Sequence, residues 1–207
     1  MRSCNHNYTA SSKNMAHARI IAFAMYNKKW IYLLVVMALL AAALLHILLT
    51  GYSAIDRAEI EFAAQNYSSA AQQYQYAALL LPWRGDLLEK AGISAYAGGN
   101  YSDAINFLNH APKLTEQGWI AMGHSYISIN DLTSALRVYQ QGLQFHDSAY
   151  LYAGLAYIYR EQKDWMAERD ALKNQLRLDP SNANANYRLG LLMTIIEPEQ
   201  ALSELMV

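Results

Sequence analysis

The sequence predicts an all-α protein: one N-terminal transmembrane helix followed by an α-solenoid of about four and a half helix-turn-helix repeats. Three observations carry this. Residues Trp30–Leu49 are an apolar stretch with no formal charge, glycine or proline. A short sequence step recurs downstream at offsets of 34, 31 and 33 residues. The apolar content, 54% of the chain, is mostly Ala, Leu and Tyr in helical spacing, not the short Val/Ile-rich runs that mark strands.

A helix rises 1.5 Å per residue, so about twenty apolar residues match the roughly 30 Å hydrocarbon core of a bilayer. Residues 30–50 are therefore assigned as a membrane span. The net charge of −1 hides a division at this span. Residues 1–29 carry Arg2, Lys13, Arg19, Lys28 and Lys29 and no carboxylate; all seventeen acidic residues lie in 51–207, against eleven basic ones. An excess of Lys and Arg beside a span marks the cytoplasmic side. This predicts a single-pass protein of the cell (inner or plasma) membrane, N-terminus inside and the following domain extracytoplasmic. Trp30, Tyr32 and Tyr52 stand near the two boundaries, where aromatic rings prefer to lie. A cleaved signal peptide is the competing reading, but its apolar core is normally about 7–15 residues long and followed by small residues. The only cysteine, Cys4, falls on the inner side, and a cysteine-free exported domain suits an oxidising compartment.

Taken in order, residues 1–14 are polar, without periodicity, and are expected to be largely disordered, as part of a basic cytoplasmic leader over 1–29. Met15–Tyr26 is apolar but too short to cross; it either lies in the interface or extends the span inward. Within the span, Ala38, Ala42 and His46 recur every fourth residue and share one face. Small residues at that spacing admit a neighbouring helix, and a histidine can hydrogen-bond across such a contact. The simpler role for His46, near the outer end, is to reach headgroups and water.

The repeated steps are Gln65-Asn-Tyr-Ser-Ser-Ala70, Gly99-Asn-Tyr-Ser-Asp-Ala104, Asn130-Asp-Leu-Thr-Ser-Ala135 and Lys163-Asp-Trp-Met-Ala-Glu168. Each supplies a turn residue to end one helix, an apolar residue to staple the next and, in three of the four, a small Ala where two helices approach. With this period the chain resembles the tetratricopeptide repeat (TPR) family. The third repeat reads Trp119, Met122, Gly123, Tyr126, then Ala135, Tyr139 and Gly142, close to the W-L-G-Y…A-F-A pattern. The second gives Leu88, Ala91, Gly92, Ala95, then Ala104, Leu108 and Ala111. The fourth gives Tyr152, Leu155, Ala156 and Tyr159, then Leu172, closing with Leu178-Asp-Pro180.

The ends depart from the pattern. The first repeat matches only from Asn66-Tyr67 through Ala70, Tyr74, Ala77 and Pro82, because Arg57 and Glu61 stand where apolar residues belong. The fifth offers Leu189, Gly190 and Met193, then Glu199-Gln-Ala-Leu202. Glu168 occupies a position that expects Ala. The resemblance covers 51–207, divided as repeats at about 51–84, 85–115, 116–148, 149–182 and a partial 183–207. It implies antiparallel helix pairs stacked about a concave groove. The apolar last residues carry no polar capping helix, which predicts either a longer protein or an end that docks on something.

Catalytic chemistry is not indicated, and the chain is expected not to be an enzyme. Gly98-Gly99 follows no strand and reads as the turn of repeat two, not a phosphate loop. His110, His124 and His146 form neither an i, i+4 pair nor a Cys/His cluster, so no metal is expected, nor any cofactor. No nucleophile-elbow motif occurs. A domain with a net charge of −6 lacks the basic footprint that nucleic acid demands. Asn66-Tyr-Ser and Asn100-Tyr-Ser match a glycosylation acceptor, but the repeat turn already accounts for them.

The resemblance directs attention to the groove, which the first helix of each repeat lines. The candidate partner-binding residues there are Glu89, Tyr96, His124, Tyr150, Tyr157, Arg160 and Tyr187. Tyrosine offers broad contact area with a polar tip, suited to an extended peptide or a helix. The Lys/Asn pattern by which some members of the family grip a C-terminal carboxylate is missing, because Glu89, Ile120 and Ala153 occupy its central position. The expected function is a membrane-anchored scaffold for protein–protein interaction, in assembly or translocation of envelope or membrane proteins, or as a small subunit of a membrane complex. Its partners would be a protein in the groove or a lateral helix on the Ala38/Ala42 face. The alternative is the repeat arm of a larger glycan polymerase or ligase.

Overall fold

The computed structural model describes the backbone of residues 6–196 and the side chains of 28–195. The readings for residues 1–5, Cys4 included, and for the second helix of the fifth repeat (Glu199–Leu202) lie outside the described residues. The elements are α1 (His6–Ala63), α2 (Tyr67–Leu80), α3 (Asp86–Ala97), α4 (Tyr101–His110), α5 (Glu116–Ser128), α6 (Leu132–Leu143), α7 (Ala149–Glu161), α8 (Trp165–Leu178) and α9 (Ala183–Ile196). No strand occurs among the described residues. Contacts divide the chain into two units, Met1–Leu49 and Thr50–Val207.

The first unit is helical from His6. Once a helix is nucleated, extending it adds one hydrogen bond per residue fixed. From Lys28 this is the one helix among the described residues long and apolar enough to cross a membrane, with a mean hydropathy of 2.7 and no burial in its apolar window.

In the second unit, α1 continues through residues 51–63 and serves as the first helix of the first pair. Helices α3/α4, α5/α6 and α7/α8 then pair through short turns, and the first helices α3, α5 and α7 contact one another in succession. The repeated sequence step has a local physical basis. Gln65, Gly99, Asn130 and Lys163 all have positive φ, at 63°, 76°, 62° and 60°. After each, the next N–H bonds back across the turn: Asn66 to Glu61 O (2.8 Å), Asn100 to Ala95 O, Asp131 to Tyr126 O and Asp164 to Tyr159 O (each 2.9 Å). This is the left-handed helix stop in which a 6→1 bond satisfies an orphan carbonyl, here used four times. Asp131 and Asp164 then cap the following helix, accepting from Ser134 N (3.0 Å) and Ala167 N (3.1 Å).

Alanine lets the paired helices close. Ala70, Ala104 and Ala135 are fully buried at corresponding positions. At the fourth, Glu168 is 1% exposed, and its carboxylate is held by Arg188 of α9, Nε at 2.6 Å and Nη2 at 3.0 Å. The irregular repeat therefore packs by burying a bidentate ion pair in place of a methyl group. The largest apolar cluster joins α5 to α9 around Tyr139, Leu151, Ile158 and Leu192.

Candidate protein-binding groove

The predicted groove residues fall into three environments. Glu89 differs most from expectation: it does not offer its carboxylate to the groove. It is 6% exposed, and its Oε1 accepts from both the backbone N–H (2.6 Å) and the hydroxyl (2.7 Å) of Thr115. Thr115 in turn accepts from Gly118 N (3.4 Å) at the start of α5. A carboxylate from one repeat thus organises the first turn of the next, where the helix dipole favours negative charge. The same device recurs one repeat on: Ser148 donates to Glu116 while capping α7, accepting from Tyr150 N (3.2 Å) and Leu151 N (3.4 Å).

Tyr96 and His124 form a second, half-buried environment. Their rings stack at 6.1 Å with an interplanar angle of 18°, and His124 meets Tyr139 edge-on at 6.1 Å and 82°. Burial lowers the His124 pKa from its ordinary 6.5, favouring the neutral ring at neutral pH. Burial also raises that of Tyr96, with a further contribution from Tyr101. The three rings make a continuous aromatic seam through α3, α5 and α6.

The third environment is the most open. Tyr150, Tyr157 and Arg160 of α7 wall a concavity of about 340 Å³ closed by Asn184 and the Glu168–Arg188 pair. The Arg160 guanidinium lies over the Tyr157 ring, 5.0 Å from its centroid, and is 3.7 Å from Glu161. A cation over a ring face is drawn to its quadrupole and held in place. Tyr150 and Tyr187 are each 71% exposed, and Tyr187 does not line the concavity. This patch combines aromatic surface, a positioned cation and amide groups.

One larger cavity was not foreseen. About 700 Å³ opens away from the predicted residues, walled by Leu108, Leu114, Met122, Trp119 and Phe145. Trp119 and Phe145 stack at 6.0 Å and 7°, and Trp119 Nε1 is buried with no partner among the described residues. In the sequence Trp119 is a repeat-signature residue, and Phe145 carries no motif. Among the described residues no group of three or more His, Cys, Asp or Glu could hold a metal ion.

Ala38, Ala42 and His46 are exposed on α1 within the first unit. No known family profile matches the sequence, and no curated protein matches it. Solved structures do. MamA superposes with a TM-score of 0.66 at 17% identity, over 74% of this chain and 87% of that one. YrrB, a TPR protein with an unusual peptide-binding site, gives 0.59 at 16%, over 72% and 80%. The C-terminal part of a TPR repeat-containing protein from Cytophaga hutchinsonii gives 0.60 at 18%, over 73% and 65%.

The fold is that of a tetratricopeptide-repeat protein. Identities this low establish the TPR fold and not a shared activity. Within that fold, Tyr150, Tyr157 and Arg160 converge on the first-helix surface of the fourth repeat.

Proposed function

We propose that the chain is a non-enzymatic scaffold, anchored in the cell membrane by Trp30–Leu49, that binds a protein partner in its TPR groove. The observation that carries the reading is the concavity walled by Tyr150, Tyr157 and Arg160, with the guanidinium preset over the Tyr157 ring. Rigid aromatic side chains give contact area at low entropic cost, and a stacked arginine presents donors suited to the carbonyls or carboxylates of an extended chain. YrrB, of the same fold, has a peptide-binding site. The charge division at the span supports an inside N-terminus and an extracytoplasmic TPR domain. Anchoring would confine the groove to the membrane surface and raise its effective concentration for other envelope proteins, as assembly or translocation requires. The Ala38/Ala42 face would add a lateral contact if the chain is a subunit of a membrane complex.

The test is capture of partners from membranes in mild detergent, comparing the native chain with a Tyr150→Ala/Tyr157→Ala/Arg160→Ala variant. Loss of a stoichiometric partner with unchanged circular dichroism is expected. Full retention would refute groove recognition, and loss on substituting Ala38 and Ala42 by Ile would move the contact to the span.

A further inference from the structure

The cavity of about 700 Å³ lies outside the groove, at the end of α4, and the length of that helix accounts for it. Helix α4 has 10 residues, against 14, 12 and 14 in α2, α6 and α8. The repeat step shortens with it: Gly99 to Asn130 is 31 residues, against 34 before and 33 after. The missing residues amount to about half a turn to one turn of helix. Where the longer second helices continue, α4 gives way to the connection 111–115, and an apolar recess is left. Buried Leu108, Leu114 and Met122 line it, and Phe145, 70% exposed, stands at its edge over Trp119. Small-molecule sites are typically about 300–1,000 Å³, mostly apolar, with a few polar groups that fix orientation.

The charge of the recess says what kind of molecule it suits. The domain carries seventeen acidic residues against eleven basic ones, yet neither Asp nor Glu lines this cavity; Lys113 is its one formal charge. Lys113 is exposed and makes no ion pair among the described residues. The neighbouring acids are engaged elsewhere: Asp147 is held by Arg177 at 2.9 Å, and Glu116 accepts from Ser148. Donors line the same wall, the amides of Gln141 and Gln144 and the indole of Trp119, whose buried Nε1–H has no acceptor among the described residues. A buried donor in that state is satisfied by a ligand oxygen that reaches it.

We propose that this cavity binds a small amphiphilic anion, its apolar body on Leu108, Leu114 and Met122 and its anionic head paired with Lys113. The apolar wall supplies affinity through area removed from water. The single unpaired cation supplies discrimination, because a cationic head would meet Lys113 and a neutral one would forgo the ion pair. The site goes beyond the groove: it lies on α4, α5 and α6, whereas the groove concavity lies on α7, α8 and α9.

The experiment uses the full chain labelled with 5-fluorotryptophan, in phosphatidylcholine nanodiscs, with the resonances of Trp30, Trp83, Trp119 and Trp165 assigned from four single Trp→Phe variants. Octanoate should shift the Trp119 resonance saturably and leave those of Trp83 and Trp165 in place. Octanol and octyltrimethylammonium, of equal apolar length, should bind about threefold more weakly or worse, and Lys113→Gln should weaken octanoate by about threefold, the effect of one exposed ion pair. Octyl phosphate, run beside octanoate, distinguishes a phosphate from a carboxylate source, and saturable binding of either supports the site. Equal affinity for octyltrimethylammonium, or no effect of Lys113→Gln, would overturn the anionic head. No shift of Trp119 with any of the four probes would overturn the site and leave the recess to a protein side chain. A shift that never saturates and is shared by all four resonances would reduce it to partition into lipid. Circular dichroism guards against misfolding, which substitution of the exposed Lys113 should not cause.

Discussion

The Tyr139 ring is clasped between two glycines of successive repeats: a Cβ on Gly123 or on Gly154 would stand 2.4 Å from the nearest ring atom. The ring is fully buried and joins α6 to α5 on one side and to α7 on the other. Neither neighbour can yield, because both contacts are made by helix backbone.

Gly123→Ala and Gly154→Ala should each destabilise the domain. Alanine normally gains up to about 1 kcal/mol over glycine inside a helix. Overpacking a filled core costs about 1–3 kcal/mol, so at this spacing the steric effect wins. The melting temperature in detergent should fall for both variants. An unchanged value for Gly123→Ala would show the repeat register to be wrong.

Tyr139→Phe should be neutral or stabilising. The hydroxyl is buried with no partner among the described residues, and burial pushes its pKa well above the ordinary 10. Removing an unsatisfied buried group recovers a desolvation penalty of about 1 kcal/mol or more. A clear loss of stability in denaturant titration would mean that the hydroxyl is bonded.

Glu168 and Arg188 should respond asymmetrically. Arg188→Met strands a carboxylate that is 1% exposed and should cost about 3–5 kcal/mol. Glu168→Ala restores the residue type the repeat pattern expects, and the partly exposed Arg188 can turn to solvent, so its cost should be small. Equal losses in urea unfolding would contradict this arrangement.

Glu89→Ala should weaken folding and not recognition. It removes the acceptor for two donors at the start of α5, an effect of about 1–3 kcal/mol. Partner capture by the folded fraction should be unchanged. A partner lost at full stability would return Glu89 to the groove.

His124 should make the domain less stable in mild acid. Its folded pKa lies below 6.5, so above that value the ring is neutral in both states and the full contribution is present. As pH falls through 6.5 the unfolded chain takes up the proton first, and stability declines until the folded pKa is passed. Thermal unfolding between pH 8 and 5 should show this slope, flattened in His124→Phe. An identical slope in that variant would assign the effect elsewhere.

What the sequence determined by itself is what depends on neighbours in the chain. The apolar run Trp30–Leu49 and the turn residues Gln65, Gly99, Asn130 and Lys163 act through helix length, hydropathy and backbone φ, all local quantities, and the recurring alanines follow from the same spacing. Tertiary structure alone decided the rest. Glu89 looked like a groove residue because its position in α3 faces inward; that it is consumed by Thr115, 26 residues away, depends on how the next helix seats. Glu168 looked like a defect until Arg188, 20 residues on, supplied its counter-charge. The ring of Tyr139 finds its two glycines only when three helices close around it. The physical reason is common to all three: the free energy of a buried polar or bulky group is set by the partner that meets it across the fold, and sequence spacing does not specify that partner.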